Sequence, residues 1–242
     1  MLPVLFRFRG TEIHSYTAFL FLGLTFGVIA GTYAGGARGL DPVQLYAALL
    51  LLTIPALAGS RLLYVATHWQ FYRDHPARMF SASGGAALYG GLLLALACSP
   101  IVLRLIGLPL GAFWDAATIT LLVGMVFTKI GCLLNGCCAG RPASGLFALD
   151  LPNERGVRCR RVPSQLLECG LAAALLYGAM FWKVRPFDGA LFLGVVAVYA
   201  TARIPLGLSR ESVDRMGRID VYNTISVALA VASVVIIAIR AR

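Results

Sequence analysis

Charge is scarce in this chain: Asp, Glu, Lys and Arg make up 13% of its 242 residues, where an average soluble domain carries about 25%. Long hydrophilic stretches are also missing, and the one substantial loop between apolar runs is 135–163. These deficits exclude a soluble enzyme, a disordered chain and a DNA-binding module, so no nucleic-acid partner is expected. Histidine is rare, with 3 in the whole chain, and none stands near the clustered Cys132, Cys137 and Cys138. Their Cys-x4-Cys-Cys spacing is not one of the usual zinc patterns, so neither a metal nor a cofactor is expected. Acidic residues are fewer than basic ones, 11 against 21, leaving a formal net charge of +10. In a membrane protein that excess suits anionic phospholipid head groups.

What the chain does contain is apolar surface, at 59% of its residues. It falls into seven runs: Tyr16 to Ala34, Leu45 to Val65, Gly85 to Ile106, Phe113 to Leu134, Leu166 to Phe181, Gly189 to Leu208 and Val221 to Ala238. Each is close to the ~20 residues a helix needs to cross a bilayer. In lipid such a run must be helical, because any other backbone leaves polar groups unsatisfied. The expected fold is all-α and polytopic: a single domain of seven transmembrane helices over 1–242, with a short head-group loop at 135–163. Arg7 and Arg9 ahead of the first run resemble the start of a cleaved signal peptide. Six further spans and Tyr16 at the mouth of the first favour a retained helix. Arginines are concentrated in the N-terminal tail and the second, fourth and sixth loops, which on charge alone places that side in the cytoplasm.

Four charges within the spans stand out: Arg61, Lys129, Glu168 and Arg203. Each costs about 2.5–3.5 kcal/mol at membrane depth. Any one of them alone is explained by snorkelling to the interface. Together they are not, because the ends of spans two, four and six and the start of span five all fall on one side, with the long loop. A convergent polar site within one leaflet is expected, with Glu168 as a structural partner for one of the cations. Beside it, Gly84, Gly85, Gly90 and Gly91 flank Tyr89, either for close helix packing or to let a head group approach. Lys129 to Arg141 carries a helix into a glycine-rich turn through Asn135, Gly136 and Gly140, a backbone suited to holding a phosphate. Cys98 and Cys169 read as small core residues; a redox role for the other cysteines, with Cys159, stays open. His14, His68 and His75 read as interfacial.

At this point the sequence resembles the prolipoprotein diacylglyceryl transferases, and the resemblance covers nearly the whole chain. Ile13-His14-Ser15-Tyr16 looks like the family's tyrosine-bearing entry to the first helix. Gly59-Ser60-Arg61-Leu62-Leu63-Tyr64 looks like its Gly-Ala-Arg segment, and Gly84 to Gly91 like its Gly-Gly-x-x-x-His-Gly-Gly element. Lys129 to Gly140 stands where Arg-x-Gly-Asn-Phe-x-Asn-Gly-Glu-x-x-Gly belongs. Pro163-Ser164-Gln165-Leu166-Leu167-Glu168 matches Pro-Ser-Gln-Leu-x-Glu, and Tyr199 to Arg203 the late arginine. Tyr89 replaces the family's histidine, Lys129 its arginine, Cys132 the first asparagine and Cys137 the glutamate. Gly207 stands where a glutamate is usual, and the loop between spans four and five is short.

The resemblance implies a multi-pass enzyme of the bacterial inner membrane. It would move diacylglyceryl from phosphatidylglycerol, or another anionic phospholipid, to the cysteine thiol of a prolipoprotein lipobox peptide. It further implies Tyr16, Tyr89, Lys129 and Arg203 at the reacting centre. Arg61, Gly84, Gly85, Gly90, Gly91, Asn135, Gly136, Gly140, Arg141, Gln165 and Glu168 would bind substrate. It also puts the N-terminus and Tyr16 on the periplasmic side, against the arginine count, since many of those arginines lie in the implied site. Two other readings stay open: a lipid-binding paralogue with another acceptor or no transfer, and a small-molecule transporter.

Overall fold

A computed structural model describes residues 2–8, 11–80, 87–145, 147–153, 156–211, 215–216 and 219–240. The chain opens on a hairpin of β1 (Val4–Phe8) and β2 (Thr11–His14). Ser15 ties the next helix back to it, donating its amide to Pro3 O at 3.0 Å and its hydroxyl to the Leu2 carbonyl. There follow α1 (Ser15–Gly36), α2 (Pro42–Thr67), the short α3 (Trp69–Asp74) with a 3₁₀ turn at Pro76–Phe80, α4 (Leu88–Ile106) and α5 (Leu110–Asn135). A second hairpin, β3 (Leu149–Pro152) with β4 (Arg158–Arg161), precedes α6 (Ser164–Phe181) and α7 (Ala190–Leu208). A third, β5 (Arg215–Met216) with β6 (Ile219–Asp220), precedes α8 (Val221–Arg240).

Among the described residues, seven helices are long and apolar enough to cross a membrane, and each corresponds to one apolar run of the sequence. The fold class is the expected one. Helix ends follow local chemistry where hydropathy alone misplaces them. α2 starts at Pro42, ahead of its apolar run, because Asp41 accepts the Gln44 amide at 2.7 Å and proline suits a first turn. Gly107 (φ 85°) and Gly136 (φ 79°) end α4 and α5 in the left-handed conformation that a side chain disfavours. The hairpins, one ahead of α1 and two in connections between helices, were not anticipated.

Alternation of the helices places both longer hairpins, α3 and the segment after α7 at one end of the bundle. α1 packs on α5, α2 on α4, α5 on α6, and α7 on α8. In α1 the glycines recur every fourth residue, and a methyl group on Gly23, Gly27 or Gly31 would strike Phe127, Thr120 or Gly124 on α5. This small-residue seam brings the two backbones together, as is usual where lipid gives no hydrophobic drive. Leu45, Leu49, Leu52, Phe113, Trp114 and Phe192 fill the centre. Outward-facing Phe21, Ile54, Leu105 and Val231 are exposed, as lipid-facing side chains are. At the other end of the bundle Asp115, a charge not singled out above, is buried against Arg185 at 3.0 Å and accepts the Phe192 amide at 3.0 Å. This pair clamps the α6–α7 connection onto α5.

Candidate functional site

Four segments bring charge together at the hairpin-bearing end. Lys129, near the end of α5, points its Nζ at Glu168 Oε2 at 2.5 Å. Glu168, in the first turns of α6, has only 1% of its side chain exposed, and its other oxygen receives Arg210 Nη2 at 2.5 Å and Nε at 3.0 Å. Arg203, late in α7, is also buried and within electrostatic reach of Glu168. Its Nη1 is buried with no hydrogen-bond partner among the described residues. Three cations thus face one carboxylate, and one guanidinium nitrogen is uncommitted. Burial works against the Arg210 charge, but Glu168 outweighs it and raises the guanidinium above its usual pKa.

The loop after α5 is held over these charges by backbone pairing. Arg141 donates its amide to Ser209 O at 2.8 Å and its Nε to Arg210 O at 3.0 Å, and Glu211 donates its amide to Ala139 O at 3.1 Å. Gly140 forms a bridge with Arg210, and a Cβ there would lie 2.6 Å from Ser164 Oγ, so a glycine is needed for the approach. Gln165 donates Nε2 to Cys137 O at 2.7 Å, while its Oε1 is buried without a hydrogen-bond partner among the described residues. Arg161, almost fully buried, links the same loop to Glu211 at 2.8 Å and to Gly140 O at 3.3 Å. Asn135 ends α5 beside Cys137.

Tyr89, at the start of α4, lies 2.6 Å from Ser226 Oγ on α8. Ser226 itself donates to Tyr222 O at 2.8 Å, so the Tyr89 hydroxyl is the donor of the pair. Tyr16 packs over Gly131 on α5, within electrostatic reach of Lys129 and of Cys132, Cys137 and Cys138. The Sγ atoms of those cysteines lie within 4.8 Å of one another. Cys132 and Cys137 donate toward Cys138 and, with Lys129 and Arg210, hold its thiol well below the usual range against the effect of burial.

The structure therefore brings together Lys129, Glu168, Arg203, Tyr89, Tyr16, Gln165, Asn135, Gly136, Gly140 and Arg141. Two of the predicted binding positions also have structural work. Gly90 and Gly91 lie in the α2–α4 contact: a Cβ on Gly90 would strike the backbone of Gly59, and one on Gly91 would lie 2.7 Å from Ala56 O. Arg61 donates to Met79 O at 2.9 Å and Arg78 O at 2.8 Å, with its guanidinium over Tyr72 and Tyr64, so it anchors the segment between α3 and α4. Gly84 and Gly85 lie outside the described residues. Sequence reading missed Arg210, Arg161 and Ser226 as site residues. Loop arginines and a helical serine carry no local signal that sets them apart from their neighbours.

Comparison of the sequence with known proteins shows its family. The sequence profile described as prolipoprotein diacylglyceryl transferase matches residues 3–239. A phosphatidylglycerol–prolipoprotein diacylglyceryl transferase of Dehalococcoides mccartyi is 28% identical over 239 residues, covering 95% of this chain and 91% of that protein. One from Nitrobacter winogradskyi is 30% identical over 210 residues, 84% of this chain and 72% of its own. One from Nostoc is 24% identical over 262 residues, 99% of this chain and 90% of its own. The family resemblance carried by the motifs is thus met over nearly the full length, on a multi-pass helical membrane protein. The chain belongs to the prolipoprotein diacylglyceryl transferase family and is a diacylglyceryl transferase.

Proposed function

We propose that this protein transfers the diacylglyceryl group of phosphatidylglycerol to the thiol of a prolipoprotein lipobox cysteine. The observation that carries this reading is the surplus of positive charge around Glu168, with Arg203 Nη1 buried and unpartnered among the described residues. A buried cation without a partner is costly, and a phosphate oxygen satisfies it with a charge-assisted hydrogen bond. Gln165 Oε1, also unpartnered among the described residues, would accept from a glycerol hydroxyl of the same head group. The 135–163 loop would cover that head group.

In the reaction the acceptor thiol gives its proton to water and attacks the glyceryl carbon that bears the phosphate ester. A sulfur–carbon bond forms, the carbon–oxygen bond breaks, and glycerol phosphate leaves with the electron pair. Charge accumulates on the departing phosphate, and cations fixed beforehand in a dry site stabilise it without reorganising. Arg203 and Lys129 fill that role here; Lys129 supplies charge without the planar fork of the family's arginine. Tyr89 is a poor base at neutral pH, with an unperturbed pKa near ~10, and its hydroxyl already donates to Ser226. Its role would be to shape the pocket. The protein would sit in the bacterial inner membrane, a reading that its likeness to bacterial family members supports, with this end of the bundle facing the periplasm.

The test is a transfer assay with purified protein, labelled phosphatidylglycerol and a lipobox peptide, alongside Arg203→Ala and Lys129→Ala. Label should move to the peptide with the wild type and with neither variant. A folded protein that binds the lipid but leaves the peptide unlabelled would favour a second reading, a transferase for a different acceptor. The change from histidine to Tyr89 is the feature that recommends it.

A further inference from the structure

Three sulfur atoms converge where α5 meets the turn that follows it. Cys132 is buried in the last turn of α5, Gly136 reverses the chain, and Cys138 takes the left-handed conformation at φ 60°. For a residue with a side chain that conformation is uncommon, and here the chain folds Cys137 and Cys138 back toward Cys132. All three are free thiols, with their Sγ atoms within 4.8 Å of one another. We propose that Cys132, Cys137 and Cys138 hold a zinc ion as a three-thiolate site whose fourth coordination position takes the acceptor thiol of the transfer reaction.

Geometry, donor type and charge all fit. Zinc–sulfur bonds of about 2.3 Å in a tetrahedron set neighbouring sulfurs about 3.8 Å apart, so side-chain movements of about 1 Å close the site. A set of thiolates selects a soft d10 ion over magnesium or calcium. Three thiolates on zinc carry a net negative charge, and Lys129 and Arg210 act on Cys138 electrostatically. These are two of the three cations that leave a positive surplus around Glu168. Among the described residues no fourth His, Cys, Asp or Glu joins the group, and a zinc site with three protein ligands keeps a position for an outside ligand. Tyr16 is within electrostatic reach of all three cysteines and of Lys129, which joins this cluster to the proposed phosphate site.

The chemistry supplied is the activation that Tyr89 does not provide. A thiol bound to zinc is deprotonated at neutral pH, with its proton released to solvent. Its sulfur then forms the sulfur–carbon bond as glycerol phosphate departs with the electrons of the broken carbon–oxygen bond. The role of the fourth position rests on the proposed transferase reaction; the three-thiolate site does not.

The experiment is a cobalt(II) titration of the reduced, metal-free, full-length protein in detergent, followed by displacement with zinc(II). The expected result is a thiolate-to-cobalt charge-transfer band that saturates with a single ion per chain and is abolished by zinc. It should be lost in Cys132→Ser, Cys137→Ser and Cys138→Ser and kept in Cys98→Ser and Cys159→Ser. Adding a lipobox peptide should shift the visible cobalt bands, and the same peptide with serine for cysteine should not. Absence of the charge-transfer band in the folded wild type overturns the site, as does a band that survives the three substitutions. Loss of two titratable thiols to a disulfide on isolation under air, with no metal uptake after reduction, overturns it equally. A band that ignores the peptide thiol overturns the fourth-position role alone. Because these spectra need no lipid transfer, their failure is separable from failure of the transfer assay.

Discussion

Lys129 and Glu168 meet at 2.5 Å across the α5–α6 contact, and Arg210 closes on the other oxygen of the same carboxylate. A glutamate at the first turns of one helix thereby fixes two cations from separate parts of the chain. Removing one member of a buried ion pair leaves an uncompensated charge, at about 3–5 kcal/mol. Glu168→Gln should therefore lower thermal stability in detergent far more than a surface Glu→Gln does. Equal melting of the two proteins would show that the carboxylate is not what holds the cations.

Arg203, within electrostatic reach of Glu168, has a buried nitrogen with no hydrogen-bond partner among the described residues. Arg203→Lys keeps the charge and loses the fork. We expect affinity for phosphatidylglycerol vesicles to fall about tenfold, or ~1.4 kcal/mol, with little change in melting temperature. Unchanged lipid affinity would remove Arg203 from head-group binding.

Tyr89→Phe deletes a hydroxyl that bonds to Ser226, which still bonds to Tyr222 O. The expected cost is about 1 kcal/mol of stability, with transfer rate kept within about threefold, under ~1 kcal/mol in the barrier. A hundredfold fall in rate with normal folding would make the hydroxyl part of the chemistry.

At Gly90 a methyl group meets the α2 backbone and Leu63, not open space. Overpacking of this kind costs about 1–3 kcal/mol. Gly90→Ala should reduce thermal stability and leave lipid affinity of the folded fraction unchanged. Reduced affinity without reduced stability would return Gly90 to the binding surface.

Arg61 holds the carbonyls of Arg78 and Met79. Arg61→Met should release that segment and speed tryptic cleavage after Arg73 and Arg78, measured by gel or mass spectrometry. An unchanged cleavage rate would show that the anchor lies elsewhere.

The seven spans, the glycine-rich turn after the fourth and the improbable charges at Lys129, Glu168 and Arg203 were all legible in the sequence. Hydropathy, capping and the cost of an intramembrane charge act within a single helix, so local residue order determines them. The family pattern was legible for the same reason, since its motifs are short and contiguous. The partner of Glu168 was not, because Arg210 lies 42 residues further along and reaches it only once α7 packs beside α6. Nor did spacing reveal that Gly90 faces Gly59, or that Cys132 meets Cys137 and Cys138 around a left-handed turn. Sequence determined which segments enter the membrane and what they carry. Tertiary structure alone decided which polar groups find partners, because in a low-dielectric interior pairing depends on distances between segments, and those are set by helix packing.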